Sequence, residues 1–488
     1  MIVIIKTYND HEDFVSYIRY ITRNEKTYAY EVTALWDKKL KQSRSKTVYL
    51  GRVDPDTKNI SKLTKKNPEQ EKLILDFGDG YFLLEYIKNF EFSNIFNDKI
   101  FQKIPAILPL MIYRLCNQSA MYNCENWLDG NVLNLLCKNG DLSSQRISDM
   151  LKTLGDEQIQ RDFFTDYLQL LDGSDNSVII DATSLPNQIN IDFNAWGRSD
   201  GKIDTQFKLL CVVDQVKKIP LFYRFLPGNL SDVNTLQTTI LELAAMGVKN
   251  SFVLLDAGYF SEKNIIELYN KEIGFLTRMP ASRVIYKEII LKKIRGIEHL
   301  KNTQILNDRT FFVKKIKIDL YGKKAYAYVV LDPERKAKEL KELMKKYCLT
   351  NLDYSDDNTK LEFGACGIMI LVSSKSITEN EIVSAYYQRQ AIEQIFGFSK
   401  DDLGLLPIRN HNEPTVKGYL FFQFLLLIIY IKIRENIRDF GTVEQMLMTL
   451  RKLKCKVFDN QIIPAEQIKS VREIFKQFQI IVPKNLGI

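Results

Sequence analysis

The chain has 488 residues, with 68 basic and 60 acidic side chains for a formal charge of +8, and it is 45% hydrophobic and 26% charged. That balance belongs to a folded globular protein of two to four domains, at about 100–200 residues each, and excludes a disordered or fibrous chain. Three scattered histidines (His11, His299, His411) and seven cysteines with no Cys-x-x-Cys pair argue against a histidine-built zinc site, a zinc ribbon or a disulfide framework, and for a reducing compartment.

Residues 1–67 read as a small mixed β segment. YAYEVTALW and TVYLGRV are strand-like, a basic KKLKQSRSK stretch connects them, and Gly51 and Asp54-Pro55 punctuate the end. The opening Met-Ile-Val-Ile-Ile run is too short for a signal peptide. Residues 68–172 turn helical through LLEYIKNFEFSNIF, AILPLMIYRL and ISDMLKTL, with Leu142-Ser-Ser-Gln145 predicting a capped helix start. Trp36 and Trp127, with Trp196 further on, read as packing residues.

Gly173-Ser-Asp-Asn176 is a turn cluster that opens an α/β region over 173–278. Ser177–Asp181, Phe207–Val213 and Leu221–Leu226 are strand-like, Asp232 starts a helix through Ala245, and Phe252–Asp256 is a further apolar run. A helix near Glu262–Tyr269 and a short strand, Ile273–Thr277, follow. Three strands in a row before the helices predict a mixed sheet. Cys211 reads as a small buried hydrophobe, and Asp200, Asp204, Asp214 and Asp232 as turn or cap residues. Residues 279–376 are a β-rich basic insertion: FFVKKIKIDL, KAYAYVVL and CGIMILV alternate as strands, around one Lys-rich helix near 334–347.

Charge is concentrated in two places. Arg283–Lys346 holds 18 basic and 8 acidic residues, a net of +10, and Asp37–Lys72 holds 11 and 5, a net of +6. The pattern suits a polyanion, of which nucleic acid is the commonest, as well as a lysine-rich solvated surface.

At Thr378-Glu-Asn-Glu381 a capping box launches a long helix that completes the α/β domain over 377–432. Past Pro407 the chain reads as helical to its end, with 433–488 a candidate dimerisation region. Gly418–Ile431, GYLFFQFLLLIIYI, is 14 residues broken by Gln423. A bilayer span needs about 18–20, so this is expected to be a core helix, with no membrane partner.

Asp181 closes Val-Ile-Ile-Asp and Asp256 closes Val-Leu-Leu-Asp, each ending an apolar strand. A strand end holds a carboxylate at a sheet edge with little freedom, where it serves as a metal ligand or simply as a turn former. Gly258 leaves room for close approach. On the capping-box helix, Tyr386, Arg389, Glu393 and Lys400 fall at roughly 0°, −60°, −20° and −40° at about 100° per residue, if the helix runs through Gly397. That stripe reads as a salt-bridged solvent face, or as a carboxylate with two cations and a phenol for a phosphate backbone.

The spacing Tyr386-x2-Arg389-x3-Glu393-x6-Lys400 resembles the Y-R-E-K signature of insertion-sequence DDE transposases that carry a β-strand insertion. Asp181 and Asp256 resemble that family's first two aspartates. Gly197–Lys202 with Gln206, Pro227–Asp232, and Asp256-Ala-Gly with Ser261–Asn264 are also similar, over about residues 175–432. Ala257 and Tyr419 depart from the family's usual arginine and histidine.

The resemblance implies a ribonuclease-H-like mixed sheet with the β-rich insertion, a mostly helical N-terminal region whose 68–172 segment binds DNA ends, and a helical C-terminal region. It implies Asp181, Asp256 and Glu393 as catalytic ligands of two Mg²⁺ ions, for which Mn²⁺ substitutes, and Tyr386, Arg389 and Lys400 as DNA contacts. The expected partner is double-stranded DNA at transposon ends and target, bound by a homodimer in a synaptic complex at a bacterial or archaeal nucleoid in the cytoplasm. The alternatives are a metal-dependent nuclease without strand transfer and a catalytically inactive DNA-binding descendant.

Overall fold

The computed structural model describes residues 2–3, 15–23, 26–37, 42–55, 59–61, 72–137, 141–171, 177–199, 202–248, 251–350 and 357–487. The predicted turn at 173–176, Asp200 and the side chain of Trp36 lie outside the described residues. The chain divides into two compact units, Met1–Lys72 and Leu73–Ile488.

The first unit is an antiparallel sheet in sequential strand order, built on Val15–Arg23, Lys26–Asp37 and Gln42–Val53. Ala29 and Val32 are buried between half-buried neighbours.

The second unit centres on one mixed sheet. Its strands are β1 (Ser177–Pro186), β2 (Lys202–Asp214), β3 (Pro220–Pro227), β4 (Phe252–Leu255), β5 (Gly274–Arg278), β6 (Thr303–Leu306), β7 (Arg309–Leu320), β8 (Lys323–Leu331) and β9 (Ile368–Ser373). Their spatial order is β3-β2-β1-β4-β5-β9-β8-β7-β6, with Ala195–Ser199 paired to the start of β2. β1, β4 and β5 run parallel and every other pairing is antiparallel. The parallel strands are covered on both faces, so Val178–Ile180 and Val253–Leu255 are continuous buried runs instead of alternating ones. β6–β8 do not form a separate body: they extend the same sheet beyond β9. The β7–β8 hairpin turns through Tyr321 and Gly322, both at positive φ (53° and 78°), as a two-residue hairpin turn demands.

Helices flank the sheet. α1 (Ser144–Leu154), α2 (Glu157–Leu171), α3 (Glu379–Tyr387), α4 (Gln390–Gly397) and α5 (Glu413–Asn436) bear on the site. α5 contains the apolar run. It is long and apolar enough to cross a membrane by composition, yet 89% of its most apolar window is buried inside the protein. α1 packs on α5 at a contact only glycine allows: a Cβ on Gly418 would stand 1.6 Å from the Leu151 carbonyl oxygen, and one on Gly155 2.0 Å from that of Pro414.

Three expectations need correction. The C-terminal region is not helical throughout: Lys454–Val457 pairs with Leu73–Asp76 and with Gln461–Pro464, which pairs with Leu486–Gly487. Its period-two alternation covers only four residues, Lys-Cys-Lys-Val, too short a run to stand out from the helical pattern around it. Ser143 and Thr378 do precede helices, but neither caps through its side chain. The Thr378 hydroxyl donates instead to Glu381 Oε2, at 2.7 Å. Trp196 is 69% exposed on its edge strand and packs into no core, whereas Trp127 packs against Tyr113.

Gly418→Ala is expected to destabilise the protein by about 3 kcal/mol or more, because the new methyl must displace backbone at a tight helix crossing. A urea melt showing less than about 1 kcal/mol would mean that α1 and α5 slide apart freely.

Candidate active site

Pairing register builds the first half of the site. In the parallel β1–β4 ladder, Ile180 stands opposite Leu255. Asp181 and Asp256, each one residue further on, therefore emerge side by side from neighbouring strands, which lie about 4.8 Å apart. Asp181 faces inward, with its side chain 16% exposed, and accepts a hydrogen bond from the Ala182 amide (2.9 Å). Asp256 is 40% exposed.

The second half comes from the helical segment after β9, which is not the single helix expected. α3 ends at Tyr387 and α4 begins at Gln390. Between them the Arg389 amide bonds to the Tyr386 carbonyl and the Ile392 amide to that of Arg389, an overwound turn. After Gly397 the backbone widens into a π-turn, Phe398–Asp402, closed by the Leu403 amide on the Phe398 carbonyl. The two distortions shift side-chain phase in opposite senses, so the stripe survives the break.

Three of the stripe residues reach the sheet edge directly, and Glu393 joins them through Arg389. Arg389 Nη1 donates to Asp181 Oδ2 (2.8 Å), Nη2 to Glu393 Oε1 (2.5 Å), and Nε lies 3.8 Å from Asp256 Oδ1. One guanidinium thus touches all three carboxylates. The Tyr386 hydroxyl is 3.5 Å from Asp256 Oδ1, and Lys400 Nζ is 2.6 Å from the Thr183 hydroxyl, two residues beyond Asp181 on the same strand face. Exposure rises from Asp181 through Asp256 to 52% at Glu393, so the site is a cleft open on one side.

Its electrostatics follow from burial. Desolvation pushes the Asp181 carboxyl up to about 7, against the opposing pull of Arg389 and the Ala182 amide, and Asp256 and Asp232 add to the rise. Burial also raises the Tyr386 hydroxyl to about 12, with Asp256 adding. Burial disfavours charge on Arg389, but Asp256 and Asp181 outweigh it and hold its pKa above the usual arginine value.

Asp232 is a site neighbour that reads from sequence as a turn or cap residue. It does start a short 3₁₀ turn, but its carboxylate pairs with Lys208 (3.0 Å) and lies close to Gly258, where a Cβ would stand 3.1 Å from Oδ2. The Pro227–Asp232 block was the signal available for it. Asp214 is a turn residue, accepting from the Val216 and Lys217 amides, and Cys211 is buried in β2.

The donor set suits a hard divalent cation: three carboxylates, no nitrogen or sulfur ligand, and a guanidinium standing where positive charge is required. Among the described residues no three metal-binding side chains close directly on one point, because Arg389 lies between them.

The family model for the transposase DDE domain matches residues 172–429. Comparison with curated proteins finds no match. Among solved structures, the chain is similar to the piggyBac transposase synaptic complex with hairpin DNA, determined by cryo-EM, at 11% identity and a TM-score of 0.40, covering 76% of this chain and 69% of that one. It is also similar to the Drosophila P element transposase strand transfer complex, at 12% identity and a TM-score of 0.17, covering 61% and 83%. Both likenesses are shallow.

A carboxyl raised to about 7 makes stability pH-dependent. The folded protein holds a proton on Asp181 where the unfolded chain has released it, so this group's contribution falls as pH rises from about 4 to 7. In metal-free buffer at pH 8, Asp181→Asn is therefore expected to be more stable than wild type by on the order of 1–2 kcal/mol, a gap that closes toward pH 4. Denaturant melts across that range check it; a less stable variant at pH 8 would mean that the Arg389 pairing outweighs burial.

Proposed function

The chain belongs to the transposase DDE-domain family, and from that membership we propose that it cuts DNA at the ends of an insertion sequence and joins those ends to target DNA. The observation that carries this reading is the guanidinium of Arg389 shared by Asp181, Asp256 and Glu393. The order β3-β2-β1-β4-β5, with its three parallel strands, supports a ribonuclease-H-like arrangement of the catalytic sheet.

In this reading Asp181, Asp256 and Glu393 hold two Mg²⁺ or Mn²⁺ ions, which when bound supply an activated oxygen nucleophile and charge stabilisation at the leaving 3′-oxygen. The chain's own residues do the positioning. Asp181 and Asp256 are fixed by the strand ladder and Glu393 by α4. With the ions taking over Asp181 and Glu393, Arg389 would be released to turn its planar fork to two phosphate oxygens, and Lys400, steadied by Thr183, adds a point charge. Tyr386 lies against the terminal nucleotides. Water attacks the phosphodiester at the element end and breaks its bond to the 3′-oxygen, and the freed 3′-hydroxyl then attacks a target phosphodiester at the same site, displacing the target strand's own 3′-hydroxyl.

The basic insertion supports a DNA backbone contact, though not through every lysine. Lys314 and Lys315 spend their ammonium groups on backbone carbonyls at Lys293, Arg295 and Ile377, whereas Lys317, Lys323 and Lys324 are exposed. Residues 68–172 are proposed to bind the DNA ends and 433–488 to contribute to a homodimer in the synaptic complex, at a bacterial or archaeal nucleoid.

The decisive assay combines the element's own terminal DNA with Mg²⁺ or Mn²⁺, comparing wild type with Glu393→Gln. Wild type is expected to cut and join, and the variant to bind but react at least about 10²-fold more slowly. Cutting without joining would make the protein a nuclease; binding with no cutting by either would make it an inactive DNA-binding descendant. Separately, Lys323→Gln is expected to lower the log–log salt slope of DNA binding by about 0.9, and an unchanged slope would remove that lysine from the interface.

A further inference from the structure

A cavity of about 440 Å³ opens beside the catalytic segment, walled by the loop 404–412 that leads from the π-turn carrying Lys400 into α5. None of its eighteen lining residues is Asp or Glu, while Arg114, Arg409 and His411 are among them. The first turns of α1 and α5 also border it, at Ser144 and Thr415, the Thr415 amide being capped by Asn412 Oδ1 (2.9 Å), so that only α1 brings an uncapped N-terminus to the space. The acidic groups nearby are engaged: Glu413 pairs with Lys417, and Asp141 accepts from the Ser143 amide (2.8 Å) just ahead of α1, with Arg146 3.7 Å away.

Arg114 is the independent observation. It is 4% exposed and makes no ion pair among the described residues. Nη1 donates to the Ser119 carbonyl (2.6 Å) and Nη2 to those of Leu403 (2.6 Å) and Gly404 (3.3 Å), while Nε has no partner. A buried cation whose only acceptors are neutral carbonyls is costly. Burial lowers its pKa, and Arg409 lowers it further as a like charge. Nε is sealed from solvent, so an anion in the cavity would relieve that cost through its charge, and a cavity of this volume accommodates a phosphate with its sugar.

We infer that this cavity is a phosphate-binding site that holds a non-scissile backbone phosphate of the DNA strand entering the active site. The inference rests on the DNA-cutting reading above. Lys400, whose ammonium reaches Thr183 beside Asp181, lies four residues before Gly404, where the cavity wall begins, so the cavity wall continues directly from the segment that reaches the carboxylates. Tyr419 holds the wall in place by donating its hydroxyl to the carbonyls of Gly404 and Leu405.

The test uses the full chain labelled at histidine Cε1, since only three histidines are present. A blunt 20-base-pair duplex of arbitrary sequence and, separately, inorganic phosphate are titrated in at low salt while the His411 and His299 resonances are followed. The expected result is a His411 shift with both probes. In addition, Arg409→Gln, a change at an exposed position, should weaken duplex binding about 5–10-fold and lower the log–log salt slope by about 0.9. A duplex that binds wild type without moving His411, with slope and affinity unchanged in the variant, overturns the inference and leaves the DNA reading intact. A His411 shift with inorganic phosphate but not with duplex overturns the assignment to DNA and leaves a small-anion site. No duplex binding at any salt removes the DNA reading and the inference with it. The wild-type titration decides these outcomes even if the variant fails to fold.

Discussion

Four residue pairs in parallel register, from Phe252 opposite Ser177 to Leu255 opposite Ile180, leave little choice in how the rest of the site is arranged. They bring two carboxylates out side by side at the end of a buried ladder, one of them largely out of water. Two such groups repel each other and resist burial. The fold answers with one cation that faces both aspartates and the glutamate together, and this requires the segment after β9 to deliver Arg389 and Glu393 to the same edge. The overwound turn before α4 and the π-turn after it are the backbone adjustments through which one stretch of chain meets Asp181, Asp256 and Thr183 together.

The support for that segment comes from beneath. α5 is buried along most of its length, and its glycine contact with α1 ties the helical region before the sheet to the segment that follows the carboxylate cluster. Because the loop 404–412 is strung between the π-turn and the start of α5, the packing of two helices in the core sets where Arg409 and His411 stand relative to Lys400. Core packing and site geometry are here one constraint, transmitted through a dozen residues of chain.

Much of this was legible from the residues because the signals were local. Val-Ile-Ile-Asp and Val-Leu-Leu-Asp mark strand ends without knowledge of what lies beside them, and the stripe of Tyr386, Arg389, Glu393 and Lys400 follows from helical periodicity. What escaped was non-local or geometric. That Asp181 and Asp256 are neighbours was available only through the family resemblance, because it depends on a ladder between segments 75 residues apart. Asp232 reads as a turn residue, which it is; its proximity to Asp181 appears only once β2 and β3 are folded beside β1. The helix break at Gln388–Arg389 has no proline or glycine to announce it, and it coincides with the residue whose guanidinium meets the three carboxylates. Trp196 looked like a core residue because tryptophan usually is one, and only its place on an edge strand shows otherwise. The C-terminal strands are too short to carry a period.

The chain leaves the sheet after β5 and returns at β9, and those two strands pair directly with each other, Leu276 opposite Ser373 through Arg278 opposite Leu371. Everything between begins and ends at the same place, as a detour rather than a bridge. β6, β7 and β8 stack outward from β9, away from the aspartates, and none of β1 to β5 depends on them for a partner. The insertion is therefore modular: its length, charge and curvature can change through evolution, or by graft or trimming, while the carboxylate-bearing strands keep their register. A scaffold of this kind separates the part of the protein that performs chemistry from the part that adapts to whatever lies alongside it.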